Sequence, residues 1–183
     1  MKLPEGIIPL FDYPVADILA ELPDSASSIW DMANFRQTVH APHRATRTIL
    51  FRWPAPGWQP GKQPVVMQAP HAPRALIDTV ERFGQMLADR LQGEIMRLVL
   101  AELPAGSAIA PHTDTGNLTL FHRCHLPIET NAHATLVVEG TPHHLVPGTV
   151  YELDNTREHA ARNDGVSRRV HLLCDVLPST LLT

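Results

Sequence analysis

Four short stretches between residues 111 and 176 decide which fold and which chemistry this chain can support. They are His112-Thr-Asp-Thr-Gly-Asn117, Arg123-Cys-His-Leu-Pro-Ile128, Asp154-Asn-Thr-Arg-Glu-His159 and Arg168-Arg-Val-His-Leu-Leu-Cys-Asp-Val176. In these stretches, imidazole, carboxylate and guanidinium groups are interleaved with apolar residues. Alternation of this kind is typical of β-strands that bury one face.

The triplet His112-Thr-Asp114 is a candidate for two ligands of one metal ion. Residues i and i+2 of an extended segment point to the same face, so both side chains can reach one point. Two imidazoles and one carboxylate suit Fe(II) or a similar divalent ion. A lone His-x-Asp triplet is a weak signal, and the third ligand must come from elsewhere in the fold. His159 is the best-placed candidate.

The composition predicts a single globular domain. Of the 183 residues, 44% are hydrophobic and 19% are charged, with a formal net charge of −4 at pH 7. This balance gives no support for a nucleic-acid surface, and no apolar run approaches the length of a membrane span. Because the N-terminus has no continuous apolar h-region, we expect a cytoplasmic protein. Its oligomeric state stays open.

Apolar spacing predicts one long helix, and turn signals predict many short strands around it. The helix is expected over residues 74–91, after a short helix near 15–22 and a strand over 44–53. About eight strands should follow residue 93, which favours a sandwich or a small barrel. They are expected over residues 95–103, 107–111, 118–128, 134–138, 143–146, 149–153, 158–162 and 168–177.

Strand parity places four basic side chains on inward faces. In the strand over residues 118–128, Arg123 and His125 lie opposite the apolar positions, and in the last strand Arg169 and His171 do the same. Buried arginines need anionic partners, because their desolvation is otherwise uncompensated. An interior lined in this way is plausible as a pocket for a di-acid. The same parity places Cys124 and Cys174 on the apolar faces, and we expect both as buried free thiols.

Together the four stretches resemble the aspartyl/asparaginyl β-hydroxylase family of the Fe(II)/2-oxoglutarate-dependent dioxygenases. The specific motifs cover roughly residues 95–177, and a weaker likeness begins at Thr46-Arg-Thr-Ile-Leu50. The resemblance implies a mainly β fold with a double-stranded β-helix core, of the jelly-roll or cupin-like kind, and flanking helices. It also implies one dioxygenase domain over residues 1–183, with a support region and lid loop in 1–93 and the β-helix core in 94–178.

The resemblance further implies a site and a reaction. Its metal ligands on iron would be His112, Asp114 and His159. Arg169 would bind the distal carboxylate of 2-oxoglutarate, with Arg123 and His125 assisting. The reaction would hydroxylate an unactivated C–H bond of an amino acid or amino-acid residue, Asp/Asn- or Pro-like. It would consume O2 and form succinate and CO2, with ascorbate as a possible stimulant. Animal members lack the carboxylate ligand, so Asp114 makes this chain similar to bacterial members and to free-proline hydroxylases.

The substrate side is less defined by the sequence. By placement alone, Arg44, Arg47 and Arg52 could grip a substrate carboxylate beneath a proline-rich lid over residues 54–73. The substrate would be a small molecule or a peptide. Two other functions stay open at this point: a cupin-like metal-dependent isomerase or lyase, and a non-catalytic module that binds a metal and small acids.

Overall fold

A computed structural model describes residues 3–33, 37–38, 41–55, 57–59, 62 and 71–182 of the chain. Its helices include α1 (Ala16–Ala20) and α2 (Arg74–Arg90), the latter close to the helix predicted over residues 74–91. The strands of the described part are β1 (Ile7–Asp12), β2 (Arg47–Arg52), β3 (Gly93–Leu103), β4 (Ser107–His112), β5 (His122–Glu129), β6 (Ala134–Val138), β7 (Thr141–His143), β8 (Thr149–Leu153), β9 (His159–Asn163) and β10 (Arg169–Pro178).

These strands form two antiparallel sheets. The larger sheet has the order β1-β8-β5-β10-β3-β2, and the smaller one has the order β4-β9-β6-β7. Apolar side chains from both sheets, including Leu103 and Leu153 from the larger and Leu136 and Ala161 from the smaller, meet in one cluster between them. The predicted mainly β fold with a double-stranded β-helix core is confirmed.

The main hydrophobic core lies on the outer face of the larger sheet, beneath α2. Helix α2 buries one stripe of side chains there because they recur at steps of three and four residues. The stripe consists of Leu76, Val80, Phe83 and Leu87. Across from it, Cys124 of β5 and Cys174 of β10 are fully buried and both are free thiols, as the strand parity predicts. The opposite face of the larger sheet therefore faces the space between the two sheets.

Strand β1 was not predicted, because Pro9 and the prolines around it suggest irregular chain. Proline lacks the N–H that a ladder needs, so within sheets it is tolerated at an edge or a bulge. Here both conditions hold: β1 is the edge of the larger sheet, and its register with β8 shifts between Pro9 and Phe11.

The strand predicted over residues 118–128 begins later, at His122. Its expected first residues instead lie in a 3-10 helix over Gly116–Leu120. Gly116 has a φ of +62°, a left-handed conformation that glycine adopts without the steric cost of a side chain. The chain therefore turns immediately after Asp114 instead of continuing as a strand.

The region before residue 94 contributes both outer strands of the larger sheet, β1 and β2. Most of the predicted lid loop over residues 54–73 lies outside the described residues. Among the helices that are described, none combines the length and the apolar character needed to cross a membrane.

Candidate metal centre

Two histidines lie opposite each other on neighbouring strands of the smaller sheet. His112 ends β4, His159 begins β9, and the two are register partners in that antiparallel pair. Their ring centroids are 4.3 Å apart. The register of the pair shifts between Ile109 and His112, next to Pro111, so a bulge at this edge strand aims His112 at its partner.

Asp114 completes the cluster two residues after His112. Its backbone N–H donates to the carbonyl of Asn155, at 2.9 Å, which ties this segment to the loop before β9. One ligand atom from each of His112, Asp114 and His159 lies within 4.8 Å of the other two. The structure thus brings together the three residues that the sequence singled out as metal ligands.

Hydrogen bonds fix the orientation of both imidazoles. Nδ1 of His112 lies 2.8 Å from the carbonyl of Ala110, and Nδ1 of His159 lies 2.9 Å from the carbonyl of Arg157. A carbonyl can only accept, so each Nδ1 carries the proton and each Nε2 keeps a lone pair for a metal. Nε2 of His112 is buried and has no hydrogen-bond partner within the described chain. Such an orphaned acceptor fits a metal ligand.

The electrostatics of the cluster favour the metal-binding protonation states. Burial would raise the pKa of the Asp114 carboxyl, but the nearby Arg123 and Arg97 guanidinium groups hold that pKa well below its usual range. Burial lowers the pKa of His159, which keeps its imidazole neutral. An ionised carboxylate and neutral imidazoles are the forms that bind a divalent cation. The donor set therefore fits Fe(II), with two nitrogen ligands and one oxygen ligand on one side.

The cluster opens into a cavity between the two sheets. The space between its walls is about 490 Å³, a figure that includes the solvent-open mouth. The polar residues along its wall are His43, Thr46, Glu102, His112, Arg123, His125, His159, Arg169 and His171. The inward direction that strand parity predicts for Arg123, His125, Arg169 and His171 is thus observed.

Arg169 is a cation buried in the wall of this cavity. It is 5% exposed, and burial lowers its pKa to about 10. Its Nε lies 2.9 Å from Nε2 of His171, an imidazole whose own pKa burial lowers well below the usual value. No carboxylate pairs with Arg169 anywhere in the described ranges. A guanidinium in this position can donate hydrogen bonds to the carboxylate of a ligand.

Arg123 is placed differently from the expected cosubstrate role. Its guanidinium lies between two carboxylates, with Nη1 2.9 Å from Oδ2 of Asp114 and Nη2 3.2 Å from Oδ2 of Asp175. Because its charge is already balanced by these two groups, it does not fit as a free ligand for another carboxylate. His125 remains on the cavity wall, with its ring 5.8 Å from that of His171.

The three arginines suggested for the substrate do not line the cavity. Arg47 makes a forked ion pair with Asp31, with distances of 2.8 and 2.7 Å, and Arg52 pairs with Glu81 at 2.7 Å. These two guanidinium groups are occupied at the periphery, which does not fit a substrate role. Arg44 is exposed.

Sequence reasoning missed the side chains that hold Asp114 in place. Nδ2 of Asn155 donates to Oδ2 of Asp114 at 3.0 Å and to the carbonyl of Leu118 at 2.9 Å. Asp175 and Arg97 complete a buried network around Arg123. Alternation along β10 puts Asp175 on the same face as Arg169 and His171, but it does not tell which strand lies alongside, and so it could not reveal these partners.

Comparison with solved structures gives the same fold. A 2OG-Fe(II) oxygenase family oxidoreductase from Burkholderia pseudomallei is 17% identical, with a TM-score of 0.57 over 95% of this chain and 85% of that one. AviO1 from Streptomyces viridochromogenes is 14% identical, with a TM-score of 0.56 over 96% and 91%. A prolyl-4-hydroxylase from Pseudomonas putida is 14% identical, with a TM-score of 0.52 over 94% and 92%.

A search of curated proteins gives no match. The sequence model of one family, however, covers residues 55–178, which include the three candidate metal ligands, the strands around the cavity and α2. The sequence motifs, the paired sheets and the position of the three candidate ligands all agree with that match. This chain belongs to the aspartyl/asparaginyl β-hydroxylase family.

Proposed function

We propose that the protein is an Fe(II)/2-oxoglutarate-dependent dioxygenase. It would hydroxylate an unactivated C–H bond of an amino acid or of an amino-acid residue in a peptide, Asp/Asn- or Pro-like. In the balanced reaction, one atom of O2 enters the C–H bond as hydroxyl. The other enters succinate as 2-oxoglutarate loses CO2. Membership of the family and the two-histidine, one-carboxylate cluster support this proposal.

In this proposal His112, Asp114 and His159 hold the iron from one side. Three protein ligands leave the remaining coordination positions of a six-coordinate ion to the keto acid and to O2. Bound iron and 2-oxoglutarate supply the oxidising power of the reaction. The protein binds and orients the cosubstrate and the C–H bond, and the enclosing sheets limit access of water.

The observation that carries the proposal is the buried Arg169 in the wall of the same cavity as the metal cluster. Its guanidinium lacks a carboxylate partner in the described part of the chain, so a dicarboxylate anchored there would supply the missing charge. The distal carboxylate of 2-oxoglutarate would accept two hydrogen bonds from Arg169, while its keto-acid end reaches the metal. His125 would assist from the neighbouring strand β5.

The family to which the chain belongs supports our proposal for the substrate class. A single amino acid, free or displayed on a peptide, is our proposed substrate, with no nucleic-acid or membrane partner. Because Arg47 and Arg52 are paired outside the cavity, we propose that its recognition falls to groups that line the cavity, such as His43 and Thr46.

The test is succinate formation from 2-oxoglutarate under air with Fe(II) and ascorbate, first alone and then with a panel of free amino acids and short peptides. Uncoupled turnover in the wild type, lost in Asp114→Ala, would support a dioxygenase before the substrate is known. Hydroxylated product, detected as a mass increase of one oxygen atom, would identify the substrate. Absence of succinate under every condition, with Fe(II) bound, would contradict the proposal.

A further inference from the structure

Asp175 is a buried carboxylate that the proposed reaction does not use directly. It lies on β10, is 1% exposed, and its register partners are Arg97 on β3 and Arg123 on β5. The three side chains therefore form one cross-strand row over three adjacent strands of the larger sheet. Opposite residues of neighbouring strands lie close enough to interact directly, so the row is set by the sheet itself.

The contacts in this row divide the guanidinium of Arg123 between two carboxylates. Arg97 donates to Oδ2 of Asp175 through both Nε and Nη2. Arg123 donates to Asp175 through Nε and Nη2 and offers only Nη1 to Asp114. Arg97 is further fixed by Trp53, over whose ring its guanidinium carbon lies at 5.0 Å.

The way Arg123 shares its nitrogens determines which carboxylate oxygen of Asp114 stays available to a metal ion. Arg123 and Asn155 both reach Oδ2 of Asp114, and among the described residues no hydrogen bond reaches Oδ1. A guanidinium prefers to bind a carboxylate with two parallel hydrogen bonds. If Asp175 did not hold two of its nitrogens, Arg123 could bind both oxygens of Asp114. It would also bring an unbalanced positive charge next to a cation site.

We propose that Asp175 is a positioning residue that acts through Arg123 to keep Oδ1 of Asp114 free for the metal. This inference rests on the proposed metal site and assigns a role to a residue outside the ligand set. Asp175 both neutralises Arg123 and restricts it to a single hydrogen bond with Asp114. Removing the charge of Asp175 therefore weakens metal binding while leaving the three ligands in the chain.

The experiment measures the affinity of the metal-free protein for Co2+ under argon, from the ligand-field absorption of the bound ion. Asp175→Asn should raise the Kd roughly 10- to 100-fold, the usual effect of removing a group that supports a metal ligand. Glu152→Gln is the matched control. Glu152 is also a buried carboxylate in the larger sheet, 6% exposed, and one of its oxygens lies 2.7 Å from Nδ1 of His122, but it does not line the cavity. Its variant should bind Co2+ within about 2-fold of the wild type.

A double-variant cycle separates positioning from a general loss of structure. In an Arg123→Gln background, Asp175→Asn should change the Co2+ Kd by less than about 2-fold, because Asp175 acts only through Arg123. An equal loss in both backgrounds would overturn the proposal. If Asp175→Asn alone does not fold, the Co2+ Kd of Arg123→Gln is compared with that of the double variant. A large loss of Co2+ affinity in the double variant would overturn the proposal.

The wild type and Asp114→Ala distinguish this inference from the metal site on which it rests. If Asp114→Ala binds Co2+ as well as the wild type, the metal site is wrong, and the role of Asp175 is overturned with it. If Asp114→Ala loses binding but Asp175→Asn keeps the wild-type Kd and absorption spectrum, the metal site stands and only the positioning role is refuted.

Discussion

Two buried arginines on adjacent strands have different neighbours, and this difference predicts different roles for them. Arg123 is 6% exposed and balanced by Asp114 and Asp175. Arg169 is 5% exposed and lies against the neutral imidazole of His171. A guanidinium with paired carboxylates stabilises what surrounds it, whereas one without them binds an anion from solution. The residue type alone does not distinguish the two roles.

Arg169→Ala should weaken 2-oxoglutarate binding by about 2–5 kcal/mol, because the distal carboxylate would be buried without its charged partner. The measurement is calorimetric titration of the Ni2+-loaded variant with 2-oxoglutarate. Arg162→Ala is a suitable control, since Arg162 lies on β9 of the smaller sheet, is exposed and pairs with Asp164. Unchanged cosubstrate affinity in Arg169→Ala would remove this residue from the proposed role.

His171 should make the fold sensitive to mild acid. Burial, and then the charges of Arg169, His125 and His144, lower the pKa of His171 in the folded state. An unfolded histidine titrates near about 6.5, so below that pH the unfolded chain binds a proton that the folded chain does not. The free energy of unfolding should therefore fall as the pH drops from 7.5 to 5.5, by up to about 1.4 kcal/mol for this one group.

Urea unfolding of the metal-free protein at the two pH values measures this contribution. His171→Gln should lose about 1.4 kcal/mol less than the wild type between them, because the titrating group is gone. His133→Gln, at an exposed position, should behave like the wild type. If His171→Gln shows the same loss as the wild type, the acid sensitivity arises elsewhere.

At the scale of elements, the sequence predicts best what depends on local periodicity. The stripe through Phe83 predicts α2, and the alternation in β10 predicts which side chains face α2 and which face the cavity. Both follow from side-chain spacing within one element, which needs no knowledge of the rest of the fold. The fold class and the three candidate ligands could be predicted for the further reason that the motifs resemble those of a known family.

The features that escaped prediction depend on which elements become neighbours. Strand β1 forms although it contains Pro9, because it lies at a sheet edge. The 3-10 helix at Gly116–Leu120 replaces only the first residues of the strand predicted over residues 118–128, because the chain turns after Asp114. The partner of Arg123 is Asp175 because β5 and β10 align these two residues, and this register is not visible in either strand alone.

Helix α2 should contribute to stability without affecting the site. Phe83 is fully buried between α2 and the outer face of the larger sheet, whereas the cavity lies beyond the inner face. Phe83→Ala should lower the free energy of unfolding by about 3–5 kcal/mol through lost contacts and a residual cavity. Chemical denaturation measures this change. The Co2+ affinity of the folded fraction should stay that of the wild type, and a parallel loss would show that the two faces are coupled.

At the scale of the whole molecule, the proposed ligands would join the two sheets. His112 and His159 belong to the smaller sheet, whereas Arg169 belongs to the larger one. A metal ion alone would link His112 and His159 with Asp114, which Arg123 of the larger sheet holds in place. 2-Oxoglutarate bound to both the metal and Arg169 would add a second link across the cavity. Binding of each should therefore stabilise the fold in a separate step.

Thermal unfolding under argon should resolve these two steps. Any ligand that binds only the folded state adds stability, about 2.7 kcal/mol at a free concentration of 100 times its Kd. Ni2+ should raise the Tm of the wild type, and 2-oxoglutarate added with Ni2+ should raise it further. Arg169→Ala should keep the first increase and lose most of the second, whereas Asp114→Ala should lose both. If 2-oxoglutarate stabilises Arg169→Ala as much as the wild type, it does not bridge the sheets through this arginine.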